Sequence, residues 1–263
     1  MRKTIFGTLV LLFMLAACSP KLAPKSKIVN KMQLQEQQLV HLHEKMISFY
    51  PGSYDSLSFY SAAFSTSIKK MVLENPESIT YPFDSLQKRG CTVTTSQDKT
   101  FIIYSWDTWL GGTMHFFDNI YQYTLDSTVK TQLNTNVEEE SNSYYSEIYD
   151  LNSDGKRFYL AIGNSIFSTK DMNQTIRNFE VKAEGLSEDF KIFNTPANDY
   201  SKISVNYDFF SVVDRPERPL KLILVDEDNK RVRIPVVVEN GEVTNRFILY
   251  KWDGNQFVYS SIE

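Results

Sequence analysis

The chain has 263 residues, of which 42% are hydrophobic and 23% are charged, and this composition is typical of a globular protein. Twenty-eight basic and 32 acidic residues give a net charge of −4, so no overall basic charge indicates nucleic acid as a partner. Three histidines and two cysteines leave little material for a zinc or thiol site. No phosphate-loop, dinucleotide or zinc-protease motif occurs, so we expect no cofactor and no metal.

The first 18 residues carry the clearest motif in the chain. Arg2 and Lys3 precede an apolar run from Ile5 to Leu15, and small residues precede Cys18. This order of basic, apolar and small residues is typical of a secretory signal peptide. The apolar run is shorter than a transmembrane helix normally requires. The alternative is an ordinary signal peptide with a chance cysteine.

Leu15-Ala16-Ala17-Cys18 resembles the lipobox of bacterial lipoproteins, and the chain resembles the lipoproteins of the Bacteroidota. The resemblance covers 18 residues and implies that residues 1–17 are removed and that Cys18 is lipidated. Acyl chains, at about 0.8 kcal/mol per buried CH₂, then make the membrane a partner.

The resemblance also implies an address in the cell envelope. Ser19 stands where lipoproteins held in the inner membrane of enteric bacteria carry Asp, which favours the outer membrane. The tether after Cys18 is basic, whereas surface-exported lipoproteins of the Bacteroidota tend to carry acidic residues there. We therefore expect a periplasm-facing protein, with the cell surface as the alternative.

Residues 18–27 are expected to be the lipidated cysteine and a polar tether, and residues 28–90 a helical segment. Apolar residues recur there at helical spacing in two runs, which end at Pro51-Gly52 and Asn75-Pro76. The first run is Ile28, Met32, Leu39, Leu42, Met46 and Phe49, and the second is Leu57, Tyr60, Phe64, Ile68 and Met71. The spacing predicts an antiparallel helical hairpin, followed by a short helical turn from Asp84 to Arg89.

Residues 91–263 are expected to form a β-rich domain, because the apolar pattern changes there to short alternating runs. Turn signals separate four pairs of predicted strands: 93–96 and 100–106, 144–151 and 157–162, 220–225 and 231–238, 247–250 and 257–259. Further strands are predicted near 114–124, 179–182, 190–193 and 203–209, with a long loop over 131–142.

The predicted fold class is α+β, with an N-terminal helical hairpin followed by a mainly antiparallel all-β domain, either a sandwich or propeller-like. One internal similarity bears on these alternatives. Residues 101–107 (FIIYSWD) match residues 247–253 (FILYKWD) at five of seven positions. Such a similarity suits a propeller repeat, or two strands that meet the same packing demand.

The stretch from Asp107 to His115 is the most unusual local sequence, and it follows a predicted strand. Gly111-Gly112 permits positive φ and a close approach of the backbone to a ligand, and Trp109 offers a flat face to a sugar or an apolar partner. Asp107, Trp109 and His115 are therefore predicted as binding residues. The alternative is a wide hairpin whose Trp109 and Met114 fill the core. Without a nucleophile motif such as G-x-S-x-G, no catalytic residue is predicted.

Three other patterns favour structural roles. The stretch from Asp150 to Gly155 matches the start of a calcium loop, but Ala161 stands where the bidentate Glu belongs, which favours a plain hairpin turn. His41 and His43 lie two apart on a predicted helix and therefore point to different faces. Cys91 is expected to pack as a small apolar residue at a strand start.

The sequence therefore favours an envelope lipoprotein with a binding or scaffolding role. An envelope protein or a glycan is the expected partner besides the membrane. The alternative is a periplasmic or cell-surface enzyme such as a glycan hydrolase, which would bring two carboxylates together only in the fold.

Overall fold

The computed structural model describes residues 25–133, 143–153, 155–228 and 230–263, of which residues 25–30 are described by their backbone only. The helices of this part of the chain are α1 (Lys25–Ser48), α2 (Tyr54–Glu74) and α3 (Asp84–Gln87), with 3-10 turns over Pro76–Thr80 and Phe209–Ser211. Its strands are β1 (Thr92–Thr95), β2 (Phe101–Asp107), β3 (Phe117–Leu125), β4 (Thr128–Leu133), β5 (Tyr144–Ser153), β6 (Lys156–Ile166), β7 (Asp171–Lys182), β8 (Gly185–Ser187), β9 (Phe193–Asn194), β10 (Asp199–Tyr200), β11 (Lys202–Asp208), β12 (Leu224–Asp226), β13 (Arg231–Val237), β14 (Val243–Trp252) and β15 (Phe257–Ile262).

The predicted fold class is confirmed: a helical hairpin precedes a mainly antiparallel β-region, so the protein is α+β. The hairpin forms because apolar residues at helical spacing bury one face of each helix, as Met32 and Leu39 do in α1 and Phe64 and Ile68 do in α2. In the described ranges, no helix is long and apolar enough to cross a membrane.

The helix α1 begins at Lys25, so residues 25–27, which the sequence assigns to the tether, are helical. Lysine has a good helix propensity, and a polar composition does not distinguish an exposed helical turn from a tether. The short helix predicted from Asp84 is present as α3.

The strands form three sheets. The first sheet has the order β1-β2-β3-β4, and the middle sheet has the order β11-β7-β6-β5, with β8 on the free end of β7. The third sheet has the order β10-β9-β15-β14-β13-β12. Neighbouring strands are antiparallel except β9 and β15, which are parallel.

Three main hydrophobic clusters join these elements into layers. The first lies between the helices and one face of the first sheet, where Phe64 contacts Trp106. The second lies between the first and middle sheets, and the third between the middle and third sheets. No such cluster joins the first sheet to the third within the described residues, so the three sheets pack as successive layers.

Two strand predictions differ from the structure, and buried polar side chains of β7 explain both differences. The strand β7 starts at Asp171, well before the predicted 179, since its first half buries polar residues such as Asn173, Gln174 and Thr175. Conversely, Leu220, Leu222 and Ile223 are buried, but residues 220–223 form no strand. The Gln174 amide oxygen accepts the N–H groups of Leu222 and Ile223, at 3.1 and 2.7 Å, in place of a neighbouring strand.

The predicted loop over 131–142 is partly wrong, because residues 131–133 belong to β4. Its remainder, 134–142, lies outside the described residues. Cys91 is buried next to β1, as expected, and its burial raises the pKa of the thiol to about 12.

Candidate functional site

The loop between β2 and β3, residues 108–116, contains the predicted site and is held at several points. The backbone N–H and the hydroxyl of Thr108 donate to the carbonyl of Phe116, at 2.9 and 3.0 Å. The His115 N–H donates to the Ile166 carbonyl, at 3.0 Å, which ties the loop to the middle sheet. These contacts fix the backbone from which Trp109 and His115 project.

The two glycines shape the loop itself: Gly112 has a positive φ, and Gly111 allows a close approach to the backbone of the same loop. A Cβ atom on Gly111 would lie 1.8 Å from the Met114 carbonyl oxygen, so only glycine permits this close approach. Gly112 has a φ of +66°, in the left-handed region that favours glycine. Substitution at either position therefore changes the shape of the loop.

Asp107 organises the loop through both of its carboxylate oxygens. Its Oδ1 accepts the Trp109 N–H at 2.8 Å, which makes a tight turn directly after β2. Its Oδ2 pairs with Nδ1 of His115. This hydrogen bond raises the pKa of His115, although partial burial opposes the rise. The pair fixes the orientation of the imidazole ring.

Trp109 lies between the loop and the turn of the helical hairpin. Its φ is +59°, an uncommon value for a bulky residue. Its half-buried ring lies 5.8 Å from the His115 ring, edge to face, and 5.1 Å from the Tyr50 ring, as centroid distances. Tyr50 is 37% exposed. We call the surface of Tyr50, Trp109 and His115 the aromatic patch.

His43 lies on the buried side of the same region. It is 2% exposed, and its Nδ1 has no hydrogen-bond partner among the described residues. Burial lowers its pKa, and the Asp107 carboxylate opposes that effect. His41 is exposed, so the two histidines point to different faces as predicted. In the described part of the chain, no group of three or more His, Cys, Asp or Glu residues is placed to hold a metal ion.

Asp150, the first residue of the stretch that resembles a calcium loop, makes structural contacts instead. Both carboxylate oxygens of Asp150 accept backbone N–H groups of the β1–β2 turn, from Gln97 at 3.0 Å and Asp98 at 2.7 Å. Asp154 lies outside the described residues. The contacts of Asp150 agree with the structural role favoured for this turn.

A cleft of about 260 Å³ is lined by three acids, Asp150, Asp226 and Glu227. Burial raises the pKa of the Asp150 and Glu227 carboxyl groups, and the charge of Asp150 raises that of Glu227 further. Both carboxylate oxygens of Asp150 already accept hydrogen bonds from backbone N–H groups. The cleft therefore does not favour the alternative function, that of a glycan hydrolase.

The predicted residues Asp107, Trp109 and His115 are thus in mutual contact, whereas sequence analysis missed Tyr50 and His43. Both lie more than fifty positions before Asp107, on or after α1. The only sequence signal for either residue is the helical spacing of the apolar residues in α1, which places His43 on the buried face of that helix. No sequence pattern indicates the packing of Tyr50 on Trp109.

Comparisons with known proteins do not assign the chain to a family. A scan against protein-family models finds no match, and a search of the curated proteins finds no relative. A function for this chain therefore depends on its lipobox-like sequence and on the geometry of the aromatic patch.

Proposed function

We propose that the protein is a lipid-anchored lipoprotein of the bacterial outer membrane that binds an envelope protein or a glycan through the aromatic patch. Its role is binding or scaffolding, without catalysis. The observation that carries the binding role is the packing of Trp109 on Tyr50, which joins two separate segments into one partly exposed aromatic surface.

The anchor rests on Leu15-Ala16-Ala17-Cys18, which lies outside the described residues. Lipid on Cys18 supplies the membrane affinity in this proposal. The basic tether that follows favours the periplasmic side of the outer membrane.

The geometry of the aromatic patch suits recognition. Tyrosine and tryptophan supply large contact areas at low conformational cost, and they are frequent energetic anchors of interfaces. The patch is preorganised, because Asp107 holds both the Trp109 N–H and the His115 ring. The positive φ of Trp109 also fits a binding role, since strained backbone clusters at functional sites.

The anchor is tested by Cys18→Ala. We expect the variant to leave the membrane fraction, because no lipid can be attached. If it still sediments with membranes after a high-salt wash, which removes purely electrostatic binding by the basic tether, the lipoprotein assignment is wrong.

The aromatic patch is tested by Trp109→Ala. Tagged protein is used to capture partners from solubilised native envelope, with purified envelope glycan as a separate arm. We expect capture by the variant to fall while its fold is kept. Phe59→Ala is the matched control, because Phe59 is a surface aromatic on α2 that is 67% exposed.

Two outcomes contradict the role of the patch. One is unchanged capture by Trp109→Ala, and the other is an equal loss of capture in Phe59→Ala. A stability loss of about 3–5 kcal/mol in Trp109→Ala, with capture retained by the folded fraction, identifies Trp109 as a core residue instead.

A further inference from the structure

A concave surface lies beside the aromatic patch. It is a cleft of about 390 Å³ where the middle sheet meets the segment 218–220. We call it the Arg218 cleft and define it by Tyr144, Asn164, Met172, Tyr207, Phe209 and Arg218. The Tyr144 ring lies 5.1 Å from that of Phe117, two residues after His115, so the two surfaces are neighbours.

Two tyrosine hydroxyls of the cleft lack a strong hydrogen-bond partner. The Tyr144 hydroxyl has none among the described residues, and that of Tyr207 contacts only the Met172 sulfur, at 3.8 Å, a weak acceptor. Burial raises the pKa of both hydroxyls, that of Tyr207 to about 12, so both are proton donors at neutral pH. Arg218 lines the same cleft as both tyrosines, and its charge opposes the rise in the pKa of the two hydroxyls.

Arg218 brings a positive charge that no carboxylate neutralises within the described structure. Its guanidinium donates to the backbone carbonyls of Val213, Arg215 and Glu217, at 2.6–2.9 Å. It also lies over the Phe209 ring, 5.6 Å from the centroid. These contacts hold the cation in place without cancelling its charge. The neighbouring Arg215, in contrast, is paired with Glu217 at 2.6 Å.

We propose that the Arg218 cleft binds a small carboxylate-bearing ligand, a sugar acid. The carboxylate accepts hydrogen bonds from Arg218 and from the Tyr144 and Tyr207 hydroxyls, since charge-assisted bonds of this kind are the strong ones. The sugar ring packs on the aromatic and thioether surface of the cleft. The cleft volume is near the lower end of ligand pockets, which fits a ligand of one ring.

This site does not depend on the lipid anchor or on Trp109, so it is tested separately from the proposed function. The probe is galacturonate, titrated by calorimetry into the protein, with galactose as the uncharged match of the same ring. We expect saturable binding of galacturonate that is at least about tenfold tighter than that of galactose. Trp109→Ala is expected to keep this binding.

Two variants locate the binding in the cleft. Tyr144→Phe removes one hydroxyl and no other contact, and we expect it to weaken galacturonate about tenfold. Arg218→Gln is expected to abolish saturable binding, and its melting temperature shows whether the 213–218 loop survives. Arg233→Gln is the matched control, because Arg233 also lies over a phenylalanine ring, at 5.7 Å from Phe247, but outside the cleft.

Several results would overturn the proposal. They are an absence of galacturonate binding at millimolar concentration, equal binding of galactose, and equal losses in Tyr144→Phe and Arg233→Gln. Inorganic phosphate is the last arm. If it competes as well as galacturonate does, the cleft is a general anion site and the assignment to sugar acids is wrong.

Discussion

The strands β2 and β14 carry nearly the same seven residues and lie in different layers. In each strand the shared isoleucine, tyrosine and tryptophan face one core. Ile102, Tyr104 and Trp106 pack against the helices, whereas Tyr250 and Trp252 pack against the middle sheet. The alternation in a strand therefore fixes which residues share a face, but not what covers that face.

The opposite faces of the two strands differ more strongly. Phe101 and Ile103 of β2 are buried against the middle sheet, because the first sheet is covered on both sides. Phe247 of β14 lies on the outer side of the stack, next to the Arg233 guanidinium. The fuller burial of this second face in β2 leads us to expect that equivalent substitutions cost more stability in β2.

The tryptophans give the largest expected difference. Trp106 is 1% exposed, so Trp106→Ala is expected to cost about 3–5 kcal/mol, the range for a buried aromatic. Trp252 is half-buried, and Trp252→Ala is expected to cost about half as much. Urea denaturation of both variants measures the difference. Equal losses would mean that the outer layer is as well covered as the first sheet.

The matching tyrosines of the two strands, Tyr104 and Tyr250, differ in the hydrogen bonds of their hydroxyls. The buried Tyr104 hydroxyl donates to the Gln122 side-chain oxygen at 2.8 Å and contacts the Ser78 carbonyl at 3.1 Å. We expect Tyr104→Phe to cost about 1–2 kcal/mol. The hydroxyl of Tyr250 has no such partner in the described ranges, so Tyr250→Phe is expected to stay within about 0.5 kcal/mol. A comparable loss in both variants, in the same denaturation experiment, would contradict this.

The end of β2 is expected to respond to pH in two opposite ways, since His43 and His115 lie near it. The folded-state pKa of His115 is raised, so its stabilising contribution is present below about pH 6.5 and is lost as the pH rises through the folded value. The pKa of His43 is lowered, so stability is lost as the pH falls through about 6.5, where the unfolded chain takes up the proton.

Melting temperatures between about pH 5.5 and pH 8.5 test this opposition. The loss caused by His115→Gln is expected to be largest at the acidic end, and that caused by His43→Gln at the alkaline end. His41→Gln is the control, because His41 is exposed on the same helix. Parallel profiles for the two variants would show that the pKa values of the two histidines are not shifted in opposite directions.

The end of β14 is expected to give the smallest effect. Asp253 Oδ1 accepts the N–H groups of Asn255 and Gln256, each at 2.8 Å, in a turn like that which Asp107 makes with Trp109. Asp253→Asn keeps an oxygen for these bonds, so we expect a change within about 0.5 kcal/mol by thermal denaturation. A larger loss would show that the charge, and not the turn, matters there.

Much of the fold follows from local pattern. Alternating apolar residues and turn signals predict the pairing of β1 with β2 and of β5 with β6, because both partners lie close in sequence. The first half of β7 and the segment 220–223 escape prediction for one reason. Gln174 is fully buried and supplies hydrogen bonds that strands normally supply, and no periodicity encodes such a side chain.

The candidate site, like the fold, was predictable only where its residues lie close together in the sequence. Asp107, Trp109 and His115 lie within nine residues, so their types and the intervening glycines could be judged from the sequence. The packing of Tyr50 on Trp109 depends on how the helical hairpin lies on the first sheet. The Arg218 cleft likewise assembles residues from four strands and a loop, which no short motif describes.

The parallel pairing of β9 with β15 has a consequence for the order in which the molecule is built. Phe193 and Phe257 are register partners although they are 64 positions apart (257 − 193), and the Phe257 N–H donates to the Ile192 carbonyl at 2.7 Å. While the chain is being synthesised from its N-terminal side, β9 has only β10 beside it. Phe193 therefore lacks its β15 neighbour until the C-terminal part of the chain has been made, and the third sheet is completed only then.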